Sequence, residues 1–546
     1  MTYRFFSTIQ LITILFCFAL MMCIVGCSQK KTHNTKIVFR YNESAGITSL
    51  DPAFASRTEN IWALNQLYNG LVQLNEKLEI KPSIAHSWEI ANNGKTFIFH
   101  LRNDVYFHKN KIAFGDKLNR KVTAKDFEYS FSRIINNKTA SPGKWVFANV
   151  DSIKPFETPN DSTFIIHLQK TFIPFLNLLS NAYCAVIPHE AIEKFGVDFR
   201  SNPVGTGPFY FKSWDEGEKL VLLKNGAYFE MENGKRLPFI DAVAISFIKD
   251  KQTAYLEFLK GNFDFMSGLD GSYKDDILDK QGRLNAKYSK AFAMHKMPFL
   301  KTDYLGIVVE KSNDNPQNIL LNKKVRQAIN YAIDRKKIIK FLRNNIGTPA
   351  LGGFVPNGMP GFEAMPVAGY EYNPAKAKLI IDEINLGSKK ITITTTATYV
   401  DVCEYIQKQL AAIGLNLTID VVLPAINTEL TANAKAPMFR KSWVADYADA
   451  ENYLQPFYSK NFSPNGPNYT HFSNKLFDAT YNNAVAELDD AKRIKLYIFL
   501  DSLVMSEAPV IPLYYDDAVV FYAKGWKNFH FNSMHLLQLK YLVFNK

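Results

Sequence analysis

The stretch 391–422, ITITTTATYVDVCEYIQKQLAAIGLNLTIDVV, determines the fold class that we expect for this chain. Residues 391–397 have the pattern of a strand, and residues 400–413 have the pattern of a helix that ends at Gly414. Residues 415–422 then predict a second strand. A strand, a helix and a strand in this order form a βαβ crossover, whose two strands run parallel in one sheet. The later part of the chain is therefore predicted to contain a parallel sheet.

Further strands and helices are predicted on both sides of this unit, so the whole chain has the pattern of an α/β protein. Alternating apolar residues or short apolar runs predict strands, and apolar residues three and four apart predict helices. No internal repeat and no low-complexity linker separates these elements, which places domain boundaries in short crossings between lobes. The predicted strands are 36–41, 95–101 and 219–223, and the longest predicted helices are 322–344, capped by Asn322, and 489–505.

The composition of the chain is that of a globular protein. Of its 546 residues 47% are hydrophobic and 21% are charged, which excludes a disordered chain and a multi-pass membrane protein. Lys and Arg number 64 against 52 Asp and Glu, a net charge of +12. This excess is spread along the chain without a basic block, so no nucleic-acid partner is expected.

The N-terminus has the pattern of an export signal. Arg4 precedes an apolar run over residues 11–25, and Gly26-Cys27 follows it. This end resembles the lipobox of bacterial lipoproteins, which implies a signal peptide over 1–26, acylation of Cys27 and a tether over 27–35. The alternative is an uncleaved membrane anchor, although the run is shorter than the roughly 20 residues that span a bilayer. We expect a lipid-anchored protein of the cell envelope, periplasmic or at the cell surface, in which Cys184 and Cys403 are buried free thiols.

Catalytic signatures are missing from the sequence. It contains no GxxxxGK[ST], no GxSxG and no HExxH, and Glu193 stands where the second histidine of a zinc-protease helix beginning at His189 would lie. Gly205-Thr206-Gly207-Pro208 is typical of a tight turn because Pro208 breaks a dinucleotide fingerprint. We therefore expect a binding protein with no catalytic residues, no cofactor and no metal.

A series of short motifs resembles the large extracytoplasmic solute-binding proteins of peptide/nickel-type ABC importers, the oligopeptide/dipeptide-binding family 5. The motifs occur in the order of that family and span residues 36–515. They include Ser49-Leu50-Asp51-Pro52, Leu67-Tyr68-Asn69-Gly70-Leu71, Val122-Thr123-Ala124-Lys125-Asp126-Phe127, Pro203-Val204-Gly205-Thr206-Gly207-Pro208-Phe209, Val325-Arg326-Gln327-Ala328, Trp443-Val444-Ala445-Asp446-Tyr447 and Pro509-Val510-Ile511-Pro512.

The resemblance implies a two-lobed fold of the periplasmic-binding-protein type, with three domains and a hinged ligand cleft. Lobe I (domain I) would combine residues 36–70, 200–298 and 508–546. Domain II would be an insertion over 71–199, and lobe II (domain III) would be 299–507. Two or more strand crossings would form the hinge, and closure of the lobes would trap the ligand.

The resemblance also implies ligand-binding residues in the Trp-x-Ala-Asp-Tyr motif. In peptide-binding members its Asp pairs with the ligand's α-amino group, which corresponds to Asp446, and an Arg three residues before the Trp takes a carboxylate in some members, which corresponds to Arg440. Buried ammonium and carboxylate groups need such partners. Alternatively, Asp446 caps a turn and Arg440 faces solvent, while Trp443 and Tyr447 either line the cleft or belong to the core.

A second binding segment follows the Leu-Asp-Pro motif. The resemblance implies that main-chain groups of Ser56, Arg57 and Thr58 pair with the ligand backbone as a strand does. Main-chain recognition ignores the identity of ligand side chains, so one protein accepts many peptide sequences.

The function expected from these observations is capture of short peptides by a monomeric, lipid-anchored binding protein that delivers them to an ABC permease and ATPase complex. Within the same fold, the alternative ligands are a nickel chelate, haem or an oligosaccharide. A surface lipoprotein that senses peptides without transport is a further alternative. An enzyme is the least supported class because no catalytic set was found.

Overall fold

The computed structural model describes residues 36–311, 318–362, 366–384, 386 and 389–545. The predicted signal peptide, Cys27 and the tether lie outside these residues. The strands, numbered in chain order, are β1 Val38–Asn42, β2 Val72–Leu74, β3 Ile80–Pro82, β4 Ala85–Ala91, β5 Thr96–Leu101, β6 Phe156–Asn160, β7 Thr163–His167, β8 Phe209–Asp215, β9 Lys219–Lys224, β10 Met231–Glu232, β11 Lys235–Arg236, β12 Ala242–Ser246, β13 Phe265–Ser267, β14 Phe292–Ile307, β15 Thr348–Pro349, β16 Lys390–Thr395, β17 Asn416–Val421, β18 Met438–Val444, β19 Val510–Ala523, β20 Trp526–Lys527 and β21 Val543–Phe544.

Helices connect these strands and cover the sheets. The α-helices are Thr58–Leu67, Lys111–Phe114, Ala124–Ile135, Phe175–Leu178, His189–Phe195, Lys251–Leu259, Lys274–Ile277, Lys323–Ala332, Arg335–Lys337, Pro374–Glu383, Val400–Ala412, Pro424–Ala432, Glu451–Leu454, Lys475–Ala486 and Asp490–Glu507. The structure is therefore α/β, as the sequence predicts.

Eleven strands of the described residues form one mixed sheet, in the order β17-β16-β18-β14-β19-β13-β1-β12-β9-β8, with β15 at the side of β19. The two long strands β14 and β19 pair antiparallel at its centre, from Phe292 opposite Ala523 to Gly306 opposite Val510. They connect strands from the N-terminal half of the chain on one side with strands from the later half on the other. The register of this pair shifts between Pro298 and Thr302.

The predicted βαβ unit is present. Strand β16 pairs parallel with β17, and the helix Val400–Ala412 crosses between them. Val402, Ile406 and Leu410 lie at helical spacing and are buried against this sheet in an apolar core. The prediction of a parallel sheet in the later chain is confirmed.

A separate four-stranded sheet has the order β4-β5-β7-β6, and its strands pair antiparallel. The helix Ala124–Ile135 packs on it through Phe127 and Phe131. A capping box begins this helix at Thr123, because the Asp126 carboxylate accepts from the Thr123 backbone N–H. This sheet lies within the sequence range predicted as an insertion, while the three-domain division itself stays a prediction.

The predicted long helix over 322–344 is wrong in one respect. A helix begins after Asn322 as expected, but it ends at Ala332, where Ile333 adopts an extended backbone. Asp334 then caps a short helix at Arg335–Lys337 and a π-turn follows over Ile338–Leu342. The periodicity did not show this break, because the apolar residues on both sides keep helical spacing.

Two other expectations concern membrane spanning and thiols. Within the described residues, no helix combines the length and apolarity needed to cross a membrane. Cys184 and Cys403 are free and buried, as predicted.

Candidate ligand-binding site

Asp51 fixes the backbone that leads into the segment of Ser56, Arg57 and Thr58. The Asp51 carboxylate accepts from the Ala53 N–H and pairs through both oxygens with Arg133, at 2.8 and 2.6 Å. The Ser141 hydroxyl donates to the Ala53 carbonyl at 2.6 Å. A bidentate arginine–carboxylate pair adds geometric precision as well as energy. The Leu-Asp-Pro motif therefore fixes the start of the predicted main-chain binding segment.

Ser56, Arg57 and Thr58 are all exposed. Arg57 has an extended backbone, and Thr58 begins the helix Thr58–Leu67. The N–H groups in the first turn of a helix have no intrahelical acceptor, so such a segment can donate to a ligand. The Arg57 side chain is 60% exposed and lies 3.8 Å from Glu59. Their ligand contacts stay a prediction.

Asp446, Trp443 and Asn452 form a second group, which we call the Asp446 group. The Asn452 side chain is fully buried, and its Oδ1 accepts from Trp443 Nε1 at 3.2 Å and from the Asp446 N–H at 3.1 Å. Its Nδ2 donates to Asp446 Oδ2 at 3.3 Å. Trp443 is half-buried. Asn452 therefore orients both side chains, and the carboxylate keeps unused acceptor capacity.

The carboxyl of Asp446 is in contact with water yet surrounded by protein. The residue is exposed, but the protein around it removes enough bulk water to raise the pKa of the carboxyl above its usual value. Within the described residues no cation pairs with it. A carboxylate in this setting favours a cationic ligand group.

Tyr183 connects the two predicted binding segments. Its buried side chain shares a hydrogen bond with Ser56, and the nearby negative charge of Asp446, together with burial, raises the pKa of Tyr183 to about 12. A β-carbon at Gly143 would overlap the Tyr183 ring, so this ring packs directly on a glycine backbone. The structure therefore brings Ser56 and Asp446 to the same tyrosine, although they are far apart in sequence.

Further contacts hold the backbone around Asp446. Asn181 Nδ2 donates to the Asp446 carbonyl at 3.1 Å. The rings of Trp145 and Tyr447 stack with centroids 6.2 Å apart, and Trp145 remains 39% exposed. Tyr447 is buried, so its ring faces Trp145 while its hydroxyl points into the core.

A buried acidic network lies below Tyr447. The Glu451 carboxylate accepts from the hydroxyls of Tyr447 and Tyr481, and the whole residue is 2% exposed. Burial raises the pKa of Glu451 to about 7. Tyrosine hydroxyls therefore stabilise a carboxylate that has lost its hydration, and the network anchors the side chain of Tyr447, the residue after Asp446.

We expect Glu451→Gln to flatten the pH dependence of stability. Because the pKa of Glu451 is about 7 in the folded protein and 4.5 in the unfolded chain, its protonation stabilises the fold fully below pH 4.5. That contribution is lost as the pH rises through 7, and it amounts to a few kcal/mol. The measurement is the difference in thermal unfolding between wild type and variant from pH 5 to 8.

The unfolding temperature of Glu451→Gln should increase relative to that of wild type as the pH rises. Taking a difference removes the contributions of other titrating groups, such as His108, whose pKa burial lowers to about 4. The exposed Asp382, paired with Lys378, provides the control Asp382→Asn, which should leave the profile parallel to wild type. Parallel profiles for Glu451→Gln would contradict the expectation.

Arg440 lies deeper than the predicted site suggests. Its side chain is 6% exposed and forms an ion pair with Asp303, and the Tyr399 ring covers it, with the guanidinium carbon 3.1 Å from the ring centroid. Burial lowers the pKa of Arg440 to about 10. The alternative that Arg440 faces solvent is therefore wrong, and its contact with a ligand carboxylate stays a prediction.

A cavity of about 550 Å³ lies beside the central pair of strands. Residues 267–271 line one side, Arg343 and Asp401 line another, and Phe299 and His535 complete it. Leu300, the residue after Phe299, accepts at its carbonyl from the Ala445 N–H at 2.9 Å. One lining residue of the cavity is therefore next in sequence to a residue that contacts Ala445, and the volume of the cavity is typical of small-molecule sites.

One cluster has the side chains of a metal site. Asp126, His189 and Glu190 offer ligand atoms within 4.8 Å of one another. Arg120 donates to both carboxylates, at 2.6 Å to Asp126 and 2.7 Å to Glu190. A guanidinium already pairs with both carboxylates, so the cluster is an ion-pair network of the fold.

Sequence reasoning missed four of the residues that shape the site: Arg133, Trp145, Tyr183 and Asn452. Each makes its contact with a residue from a distant part of the chain or from a turn without periodicity. Arg133 and Asn452 lie near quoted motifs, but that position does not identify a partner. Trp145 and Tyr183 lie far from the quoted motifs and gave no signal.

Comparison with known proteins identifies the family of the chain. The family model "Bacterial extracellular solute-binding proteins, family 5 Middle" matches residues 79–465. The glutathione-binding protein GsiB of Salmonella choleraesuis is 26% identical over 500 residues, which cover 89% of this chain and 90% of the relative.

Solved structures share the fold. The periplasmic binding protein DppA of Helicobacter pylori, in complex with the peptide STSA, has a TM-score of 0.73 and 25% identity, covering 94% of this chain and 99% of that one. NikZ of Campylobacter jejuni, in complex with Ni(L-His), has a TM-score of 0.69 and 21% identity, covering 92% and 97%. These relatives are binding proteins, not enzymes. The chain belongs to the bacterial extracellular solute-binding proteins, family 5, of ABC importers.

Proposed function

We propose that this protein captures short peptides between its lobes and delivers them to an ABC permease and ATPase complex. The observation that carries the proposal is Asp446, a water-accessible carboxylate that Asn452 orients and that lacks a cationic partner within the described residues. A peptide's α-ammonium supplies the missing charge. The pairing is strong because water is largely excluded from a closed cleft.

The proposed peptide lies between the Asp446 group and the segment of Ser56, Arg57 and Thr58. Tyr183 is hydrogen-bonded to Ser56 and lies close enough to Asp446 for that charge to raise the pKa of Tyr183. This proximity supports a single ligand that contacts both segments. In this arrangement the main chain of residues 56–58 pairs with the peptide backbone, and Trp443 and Tyr447 border its first residue. Recognition of amine and backbone leaves the side chains of the ligand free to vary.

We propose that the strands β14 and β19 are the hinge between lobe I (36–70, 200–298 and 508–546) and lobe II (299–507), with 71–199 inserted in lobe I. The register shift between Pro298 and Thr302 lies at the proposed boundary. Irregular pairing weakens the ladder locally, which favours bending there. The stack of Trp145 on Tyr447 would then close the cleft on the Asp446 side.

We further propose that the mature protein is a monomer tethered by acylated Cys27. The apolar run before Gly26-Cys27 supports export and lipidation. Lipidation holds a binding protein close to the permease that it supplies. Globomycin-sensitive processing of the full chain, with loss of a Cys27→Ser variant from membranes, is the outcome that supports this step.

Native mass spectrometry of the protein from residue 28 onward tests the ligand class. Extra mass on the intact protein that fragments as peptides of two to five residues supports the proposal. A metal chelate, a tetrapyrrole or a sugar as the bound species would keep the family and overturn the peptide assignment. If the protein is isolated without ligand, a thermal-shift screen with a peptide library tests the same assignment of peptides as ligands. A ligand that binds the folded state raises the unfolding temperature.

A further inference from the structure

Three side chains with the chemistry of metal ligands meet on one face of the four-stranded sheet, away from the candidate ligand-binding site. They are His86 and Glu89 of the edge strand β4 and His100 of β5. Glu89 Oε1 lies 3.2 Å from His100 Nε2, and the rings of His86 and His100 stack with centroids 6.1 Å apart. Imidazole nitrogens and carboxylate oxygens are ligands that Zn²⁺ binds in proteins. None of the three lines the 550 Å³ cavity.

A β-bulge in β4 brings these side chains together. The register of β4 against β5 shifts by one residue at His86, so that Ser87 lies opposite His100. Residues three apart in a regular strand point to opposite faces of a sheet. The extra residue reverses this alternation, and as a result His86 and Glu89 share the face that carries His100. Bulges that redirect a side chain in this way are common next to functional sites.

The three side chains are accessible and have few competing partners. His86 is exposed, and the side chains of Glu89 and His100 are 69% and 35% exposed. The Ser87 hydroxyl lies 3.0 Å from His86 Nδ1, which leaves Nε2 of that ring available to an ion. Among the described residues, no lysine or arginine forms an ion pair with Glu89. In the Asp126 cluster, by contrast, an arginine already pairs with both carboxylates.

The distances in this cluster fit a single zinc ion. Two atoms bound tetrahedrally at about 2.0–2.1 Å from zinc are about 3.3 Å apart. Glu89 Oε1 and His100 Nε2 already have nearly this separation, at 3.2 Å, and the ion takes the place of the hydrogen between them. Two imidazoles on one ion have ring centroids about 5 Å apart. Those of His86 and His100 are 6.1 Å apart, and a rotamer change of the exposed His86 closes the difference of about 1 Å.

We propose that His86, Glu89 and His100 bind a divalent transition-metal ion, with zinc as the expected ion. Two imidazoles and one carboxylate suit zinc and its neighbours in the periodic table, whereas Mg²⁺ and Ca²⁺ prefer oxygen ligands. Three protein ligands leave a further coordination position, which water fills. The bound ion connects the edge strand β4 to β5, and it stabilises this sheet because it binds the folded chain.

Isothermal titration of zinc chloride into the protein from residue 28 onward, prepared without a histidine tag, tests the proposal. We expect wild type to bind one zinc ion per chain and to bind neither Mg²⁺ nor Ca²⁺. His86→Gln, Glu89→Gln and His100→Gln should each weaken zinc binding at least about tenfold, because the loss of even an outer-shell partner costs that much. Co²⁺, as a spectroscopic probe, should give the visible absorption of a low-coordinate site in wild type, and the variants should lose that absorption.

Two controls distinguish metal ligation from loss of structure. The variant His530→Gln removes a histidine that forms an ion pair with one carboxylate, that of Glu76 at 2.8 Å, and it should bind zinc as wild type does. His86→Gln should have the circular dichroism of wild type and should bind the peptide trialanine with wild-type affinity. Zinc should also raise the unfolding temperature of wild type more than that of His86→Gln.

The contrary outcomes are distinct from one another. If wild type binds no zinc, or if the His86 and His100 variants bind it as wild type does, the proposal is overturned. Loss of zinc binding in His189→Gln would instead assign the ion to the Asp126 cluster, and loss in Asp446→Ala would assign it to the cleft; either result overturns the proposal. Failure of the metal site leaves the peptide proposal intact, because native mass spectrometry tests that proposal separately.

Discussion

Replacing Asp446 by alanine should weaken peptide binding roughly a hundredfold. Removing one member of a hydrogen-bonded charge pair in a closed site costs about 2–5 kcal/mol, and each 1.4 kcal/mol is tenfold in affinity. The ammonium of the peptide would then be desolvated without an anion. Asn452, which donates to Asp446 in the wild type, cannot replace the carboxylate because its nearby group is an N–H donor.

Titration of ligand-stripped protein with trialanine measures this loss. Asp446→Asn keeps the shape and the hydrogen bond to the Asp446 backbone but removes the charge, so it should lose nearly as much affinity as alanine. N-acetyl-trialanine should bind wild type as weakly as trialanine binds Asp446→Ala. The control Asp382→Asn removes an exposed carboxylate from the helix Pro374–Glu383 and should bind normally. A loss below threefold in both Asp446 variants would refute the amine pairing.

The raised pKa of Asp446 adds a dependence on pH. Binding needs an ionised carboxylate and a protonated amine, so affinity falls when the pH drops through the pKa of Asp446. Because the surrounding protein raises that pKa, the fall begins at a higher pH than for an ordinary aspartate. Without ligand, the Asp446 carboxylate binds a proton more readily in the folded protein than in the unfolded chain. Asp446→Asn should therefore be more stable than wild type near neutral pH without ligand, while binding worse.

The location of Asp446 was predictable from the sequence, whereas the ion pairs at the centre of the large sheet were not. The Trp-x-Ala-Asp-Tyr motif identifies Asp446 from a short local pattern, and its neighbours Trp443 and Asn452 are within nine residues of one another. Asp516 pairs with Arg343 and Lys301, and Asp303 pairs with Lys301 and Arg440. These ion pairs join residues of β14, β18 and β19 with a turn after a π-helix. Such contacts depend on strand register over distances of more than a hundred residues, which periodicity does not encode.

The elements of the fold also differ in how well the sequence predicts them. The βαβ unit and the helix Asp490–Glu507 are local patterns with clear start and end signals, and both are present. The break after Ala332 is different, since Ile333 and Ile338 continue the apolar periodicity. Just after the break, Arg335 is a charged residue that is buried in the structure, and its guanidinium donates to carbonyl oxygens of three separate segments, at Asn330, Tyr370 and Pro512.

Replacing Arg335 by alanine should destabilise the fold by about 3–5 kcal/mol. The side chain is 1% exposed, and its Nε donates to the Pro512 carbonyl at 2.6 Å. Nη1 and Nη2 donate to the Asn330 carbonyl and to Asn330 Oδ1, at 2.9 and 2.8 Å. These acceptors belong to the end of a helix and to β19, and alanine would leave them buried without donors. Burial lowers the pKa of Arg335 to about 10, so the charge persists at neutral pH and favours the helix C-terminus.

Urea unfolding of three variants separates the causes of this loss. Arg335→Met fills most of the volume without any donor, so its destabilisation reports the unpaired carbonyls, and the further loss in Arg335→Ala reports the cavity. Lys336→Ala, at the exposed neighbouring position, should stay within about 0.5 kcal/mol of wild type. If Arg335→Met were as stable as wild type, the carbonyl contacts would carry no net stability. The expected result instead shows that the contacts of Arg335 stabilise the attachment of the helix Lys323–Ala332 to β19.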